Sequence, residues 1–205
     1  MALINEPKKK LPTLAILISG RGSNMLALAK ACFDGRLDAR IGLVISNRPD
    51  AAGIESAAKL GLSTTIIDHT TFPSRAAFDQ ALQDELSALQ PQWIVLAGFM
   101  RILTPEFVNQ WSGQILNIHP SLLPRHPGLD THRRAIEAGD TEAGASVHVV
   151  TPELDAGPVI TQVRVPILRE DTSDSLGKRV LDQEHELYIN ALQICLNSKI
   201  TPAQA

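Results

Sequence analysis

A single α/β domain, Rossmann-like and doubly wound, with a mostly parallel sheet and helices on both faces, is the fold class this sequence predicts. Three observations predict it. Short all-apolar runs of strand length alternate with segments whose apolar residues recur at helical spacing, as far as residue 118. The first apolar run leads directly into a glycine-rich turn and a helix. The 205 residues are 44% hydrophobic, enough to bury a sizeable core, and no internal repeat, low-complexity stretch or linker divides them.

In chain order, Met1–Lys10 has the composition of a loose arm, and residues 1–12 are set apart from a domain spanning 13–200, with 201–205 as a tail. Leu14–Ile18 is a buried parallel strand, followed by Ser19-Gly20-Arg21-Gly22-Ser23-Asn24 and a helix carried by Met25, Leu26, Ala29, Cys32 and Phe33, ending near Gly35. Such a strand, turn and helix present backbone N–H groups and a positive dipole end to an anion. The third glycine of a dinucleotide fingerprint is missing, since Met25 stands there, and a Walker pattern is absent. A phosphate cradle using Gly22, Ser23 and Asn24 is therefore weighed against a tight turn that needs glycine only for steric reasons.

Ile41–Ile45 and Thr64–Ile67 are the next strands, separated by a helix over Ala51–Leu60 that stops at Gly61. Ser74 caps a helix whose Phe78, Leu82, Leu86 and Leu89 form one apolar face, with Arg75 in its first turn as a solvated charge. Trp93–Ala97 is the fourth strand. Gly98–Leu103 behind it is unusually apolar for a loop, suiting either packing or the lining of an aromatic ligand, and Thr104-Pro105-Glu106 starts another helix. Beyond residue 118 come a Pro- and Gly-rich loop, a short helix, strands at Val147–Val150 and Pro158–Val165 that close the sheet antiparallel at its edge, and a helix over Asp171–Asn197. Within that helix Glu184 and His185 are expected to face water.

Charge and cysteine usage narrow the functional classes. Nineteen basic against 22 acidic residues give a net charge of −3, which argues against general nucleic-acid binding. No apolar run reaches membrane-span length and the N-terminus lacks a signal-peptide core, so a soluble cytoplasmic protein is expected. Cys32 and Cys195 sit in helical patterns without metal-ligand spacing and are expected as free thiols.

The chemistry concentrates in Gln114–Ile160. An apolar run, Ile115-Leu116, ends in Asn117 and His119, two residues apart, which an extended backbone places on one face. Asp155 follows downstream. A carboxamide, a titratable ring and a carboxylate can polarise a carbonyl and move a proton. Taken singly, His119 reads as a loop-end histidine and Asp155-Ala156-Gly157 as a turn. His119, His126, His132 and Asp155 form no recognised ligand pattern, so no metal is expected.

Four motifs, Ser19–Asn24, Leu96–Leu103, Leu116-Asn117-Ile118-His119-Pro120-Ser121-Leu122-Leu123-Pro124 and Leu154-Asp155-Ala156-Gly157-Pro158, together resemble the folate-dependent glycinamide ribonucleotide transformylase family, in the family's order and across nearly the whole chain. The resemblance implies the formyltransferase fold and transfer of a formyl group from 10-formyltetrahydrofolate to the amine of phosphoribosylglycinamide in purine synthesis. It implies that Asn117, His119 and Asp155 are catalytic. Gly22, Ser23, Asn24 and Glu184 would hold the glycinamide substrate. Arg75, Met100, Arg101, Ile102, Leu103 and Asn117 would meet the folate. In the mechanism it implies, Asp155 favours a protonated His119.

Two residues depart from the family pattern. Asp130 stands where many relatives carry histidine, and Leu181 where relatives often have a polar or basic residue. The remaining expectations are small-molecule substrates, neither nucleic acid nor membrane as partner, and a monomer or weak homodimer. The rival readings are formyltetrahydrofolate hydrolase, which normally carries a regulatory domain in front where this chain has 12 residues, methionyl-tRNA formyltransferase, which needs a further C-terminal domain, and a non-catalytic nucleotide-binding module.

Overall fold

The structure is a computed structural model that describes residues 11–197; the predicted arm over Met1–Lys10 and the predicted tail over 201–205 lie outside the described residues. Seven strands form one sheet: β1 (Thr13–Ile18), β2 (Arg40–Ser46), β3 (Thr64–Ile66), β4 (Trp93–Leu96), β5 (Ile115–His119), β6 (Glu142–Val149) and β7 (Val159–Pro166), in the order β3-β2-β1-β4-β5-β6-β7. The pairs from β3 through β5 are parallel, and β6 and β7 close the sheet antiparallel. The α/β expectation and the antiparallel edge are both present.

The helices are α1 (Ser23–Phe33), α2 (Ala52–Lys59), α3 (Arg75–Leu89), α4 (Pro105–Gln110), α5 (Thr131–Glu137) and α6 (Ser173–Asn197). Strand periodicity sorts them onto two faces. On β1, Leu14, Ile16 and Ile18 join a core with Met25 and Leu28 of α1, Ala57 of α2, Ala135 of α5 and Leu176, Val180 and Leu187 of α6. Ala15 and Leu17 point the other way, into a core with Phe78, Leu82 and Leu86 of α3 and Phe107 and Val108 of α4. Both faces are covered, which is why the central strands read as continuous apolar runs rather than alternating ones. The fully buried Tyr188 ties α6 to the sheet, its hydroxyl lying 3.1 Å from the Leu96 carbonyl and 3.0 Å from that of Leu116.

Local capping agrees with the sequence signals at α3 and α4. Ser74 accepts from the Ala77 N–H and Thr104 from the Phe107 N–H, with Pro105 in the first turn. Strand β6, paired with β5 on one side and β7 on the other, is the largest difference. It begins at Glu142 rather than Val147, because Ala143, Gly144 and Ala145 have little intrinsic strand signal but pair with β7 at close range. A Cβ on Gly144 would lie 1.9 Å from the Val163 carbonyl oxygen, so the small side chains there are what the pairing needs. Helix α6 starts at Ser173, two residues later than expected, where Thr172 and Ser175 bond reciprocally through N–H and hydroxyl.

The order of strands reverses between β1 and β4, leaving a crevice at their carboxyl ends. The Ser19–Asn24 turn after β1, the Gly98–Leu103 loop after β4 and His119 at the end of β5 all lie at that edge.

Candidate active site

Strand β5 sends Ile115 into the α3–α4 core, and the period of two then puts Asn117 and His119 on the same face beyond it. On the adjacent strand Ala143, Ala145, Val147 and Val149 take the opposite face, so Ser146 and His148 line up with this pair. The register matches Asn117 with His148 and His119 with Ser146. Two antiparallel strands therefore supply one polar patch of an otherwise apolar sheet. His148 is a site residue the sequence reading passed over.

Asp155 reaches the patch from the β6–β7 connection, which folds back across β5. Asp155 adopts a left-handed conformation with φ 51°, unusual for a residue with a Cβ but tolerated by aspartate. Gly157 lets the turn close: a Cβ there would lie 1.8 Å from the Val149 carbonyl oxygen. The result puts Asp155 Oδ2 3.4 Å from His119 Nδ1 and Asp155 Oδ1 3.7 Å from His148 Nε2. All three side chains are buried, at 8%, 7% and 2% exposure for His119, Asp155 and His148.

His148 Nδ1 lies 3.0 Å from the Val149 carbonyl oxygen, and in the tautomer that carries its proton on Nδ1 the Nε2 accepts from the Asn117 side-chain amide at 3.2 Å. His148 thereby fixes which way the Asn117 carboxamide points. His119 is placed differently. Its Nε2 lies 3.0 Å from the His126 carbonyl oxygen while Nδ1 faces the Asp155 carboxylate. Only the doubly protonated ring donates in both directions; a neutral ring meets one acceptor with a lone pair.

Burial nevertheless prevails. It pushes the His119 imidazole below its ordinary pKa, against the upward pull of the His126 carbonyl and the Asp155 charge, and His148 and Arg134 nearby add to the fall. Asp155 favours the protonated ring, as expected, but its effect is smaller than that of desolvation. Burial alone would raise Asp155, yet the His148 imidazole, the Gly128 N–H at 2.8 Å and the His119 ring outweigh it and hold the carboxyl below its ordinary value. An ionised carboxylate thus sits beside a ring whose proton is weakly held, which suits a group that must release a proton to a substrate.

The Ser121–Asp130 loop covers this pair. Leu123–Pro124 is cis. The Ser146 hydroxyl donates to the Ser121 carbonyl at 2.6 Å and accepts from the Leu123 N–H at 3.1 Å. Farther along, His126 pairs with Asp140 at 2.8 Å. Asp130, one of the departures, takes a left-handed conformation before α5 and pairs with Arg133 at 2.7 Å. His132 packs against Gly177 of α6, and burial lowers its pKa as well.

At the end of β1, Gly22 adopts φ 73° as the N-terminal cap position of α1, which has no side-chain cap. Glycine is required here twice over. The φ is left-handed, and a Cβ would lie 3.2 Å from the Gly53 Cα. The anion-site and steric readings of this turn are thus compatible. Asn24 is buried and donates to Glu184 Oε2 at 2.8 Å, and its Oδ1 has no partner among the described residues. Glu184 is 8% exposed rather than solvated, because α6 packs against the start of α1 and brings it under the turn. That burial raises its carboxyl pKa, partly offset by the Asn24 bond.

The expected folate residues lie on one loop and one helix. Met100 and Ile102 are 71% and 56% exposed, Leu103 is buried, and the Arg101 guanidinium lies 5.6 Å from the centroid of the Phe78 ring. Arg75 is exposed at the start of α3. Among the described residues no group of three or more His, Cys, Asp or Glu side chains could hold a metal ion, and no helix is long and apolar enough to cross a membrane.

The sequence pattern of the formyl transferase family matches residues 13–192. The phosphoribosylglycinamide formyltransferase of Escherichia coli is 49% identical over 175 residues, covering 85% of this chain and 82% of that protein. The trifunctional purine biosynthetic protein adenosine-3 of Drosophila pseudoobscura is 44% identical over 194 residues, and the match spans 94% of this chain but 14% of that protein. Among solved structures, glycinamide ribonucleotide transformylase 1 of Symbiobacterium toebii superposes with a TM-score of 0.90 at 40% identity, covering 93% of this chain and 90% of its own.

Proposed function

The chain belongs to the formyl transferase family, and from that membership we propose how its crevice performs phosphoribosylglycinamide formyltransferase chemistry. The enzyme moves the formyl group of 10-formyltetrahydrofolate to the amine of 5-phosphoribosylglycinamide, giving formylglycinamide ribonucleotide and tetrahydrofolate. Folate here is a co-substrate. The observation that carries the residue assignment is the convergence of Asn117, His119 and Asp155 at the carboxyl edge of the sheet, with His119 Nδ1 3.4 Å from Asp155.

The catalytic unit is 13–200, with 1–12 as an arm and 201–205 as a tail. The phosphate of the glycinamide substrate meets the uncapped start of α1 at Gly22, Ser23 and Asn24, where the helix dipole and free N–H groups favour an anion. Glu184 serves the same substrate through its place beside Asn24. Arg75 and Met100–Leu103 border the folate, with Asn117 reaching the formyl group it carries.

The substrate amine attacks the formyl carbon, forming a C–N bond and placing negative charge on the formyl oxygen. The Asn117 carboxamide N–H donates to that oxygen, and protonated His119 does so once its Nε2–H turns from the His126 carbonyl to the substrate; one such donor is typically worth about 3–4 kcal/mol of barrier. The attacking nitrogen then loses its extra proton, the carbon–folate nitrogen bond breaks, and the folate nitrogen leaves with a proton. Protonated His119 gives its proton to the folate nitrogen and is reprotonated by the one the attacking nitrogen loses, with Asp155 stabilising the imidazolium. No side-chain nucleophile enters. Cys32 and Cys195 are free thiols whose burial raises both to about 11, as fits the reducing cytoplasm to which this reading assigns the protein. The enzyme acts as a monomer or weak homodimer.

Omitting one substrate tests the assignment. Loss of 10-formyltetrahydrofolate that depends on phosphoribosylglycinamide is the expected outcome. Loss without the acceptor would make the enzyme a hydrolase, and no loss under either condition would make it a binding module.

A further inference from the structure

The loop after β4 is held from both ends by buried side chains that the sequence reading did not single out. The Met100 N–H donates to Ser19 Oγ at 2.7 Å, and the Thr104 N–H donates to Asp79 Oδ2 at 2.7 Å. Ser19 is 7% exposed and Asp79 4%. Neither is a loose surface contact. The Ser19 hydroxyl donates in turn to Asn47 Oδ1 at 2.5 Å, and the Asn47 amide lies 3.2 Å from His69 Nδ1, so this tie is rooted at the carboxyl end of β2. Asp79 lies one helical turn after Arg75 on α3, next to Phe78, whose ring stacks on Phe99 at 6.5 Å.

Between the two ties, the backbone N–H and C=O groups of Arg101, Ile102 and Leu103 have no partner among the described residues. Met100 and Ile102 are exposed beside them. The loop therefore presents apolar side chains together with unpaired backbone donors and acceptors. That combination suits a planar heteroaromatic carrying hydrogen-bonding groups on its edge. A strip of unpaired backbone recognises an edge only if its spacing is fixed before the ligand arrives.

We propose that Ser19 and Asp79 are positioning residues for the pterin of 10-formyltetrahydrofolate. They touch neither substrate and act by holding the Met100–Thr104 backbone in its ligand-reading shape. This rests on the reading of Met100–Leu103 as the folate edge.

Steady-state kinetics on the full chain, varying each substrate separately, tests it. Ser19→Ala and Asp79→Ala should each raise the KM for 10-formyltetrahydrofolate about tenfold, leaving kcat and the KM for phosphoribosylglycinamide within about twofold. Asp79→Asn keeps an acceptor for the Thr104 N–H and should recover most of the lost folate affinity. An equal rise in both KM values, or a fall in kcat alone, would mean general loosening and overturn the proposal. So would an Asp79→Asn variant as impaired as Asp79→Ala. Ile102→Asp separates this inference from the reading beneath it. If Ile102→Asp leaves the folate KM unchanged, the folate-edge reading falls and the positioning role with it. If it raises that KM while the two alanine variants do not, the positioning role alone falls. Should Asp79→Ala fail to fold, Ser19→Ala decides by the same tenfold criterion.

Discussion

Replacing Asp155 by asparagine keeps the shape of the side chain and removes its charge, which isolates what that charge does for His119. The two groups are 3.4 Å apart and both buried. At an effective dielectric near 20, opposite unit charges at that distance attract by roughly 5 kcal/mol. Part of this is shared, since Asp155 also accepts from the Gly128 N–H and faces His148. A loss of about 3 kcal/mol in stabilising the imidazolium is therefore expected, or roughly a hundredfold in kcat. The pH dependence gives the sharper readout. Burial already lowers the His119 pKa, and Asp155 is one of the influences raising it. Removing the charge lowers it further. If the protonated ring is the active form, activity is present at low pH and lost as pH rises through that value. The descending limb of the pH–rate profile should thus move to lower pH in Asp155→Asn. A profile of unchanged position, at any overall rate, would refute the electrostatic role of Asp155.

Three further outcomes follow from the same geometry. His148→Leu removes the acceptor that orients the Asn117 amide and should lower kcat about tenfold with little change in either KM; an unaltered kcat would leave Asn117 oriented by something else. Glu184 has a folded pKa raised by burial, so its share of stability is fully present below its unfolded value and lost as pH rises through the folded one. Glu184→Gln cannot ionise, and its thermal midpoint at pH 8 should exceed the parent's by roughly 2–4 °C, the two converging near pH 4. Gly157→Ala forces a Cβ to within 1.8 Å of the Val149 carbonyl oxygen unless the turn moves. It should cost about 3 kcal/mol in urea denaturation and displace Asp155, so full activity in a stable variant would contradict the close approach.

What could be read in advance depended on how local its cause is. The placement of Asn117 and His119 on one face needed only the period of a strand, and β5 bears it out. The central strands and the caps at Ser74 and Thr104 are local signals of the same kind. Strand β6 was less legible because Ala143, Gly144 and Ala145 become strand through their neighbours. His148 was hidden between Val147 and Val149 in a run that reads as apolar, although its period-two partner Ser146 was a usable clue. Glu184 looked solvated because nothing in its own helix reveals that the start of α1 packs over it. The lowered pKa of His119 was missed for a related reason: the opposing desolvation depends on a loop and a hairpin turn that close over it from distant parts of the chain.

A single-turnover experiment bears most directly on the transfer itself. Enzyme in excess over 10-formyltetrahydrofolate labelled in the formyl carbon is mixed with saturating phosphoribosylglycinamide, and the fate of the label is followed. The account predicts that the label appears on the glycinamide nitrogen, one per folate consumed, and that His119→Ala slows this step about a hundredfold or more while still binding both substrates. Label released as formate, or transfer by His119→Ala at the parent's rate, would contradict it.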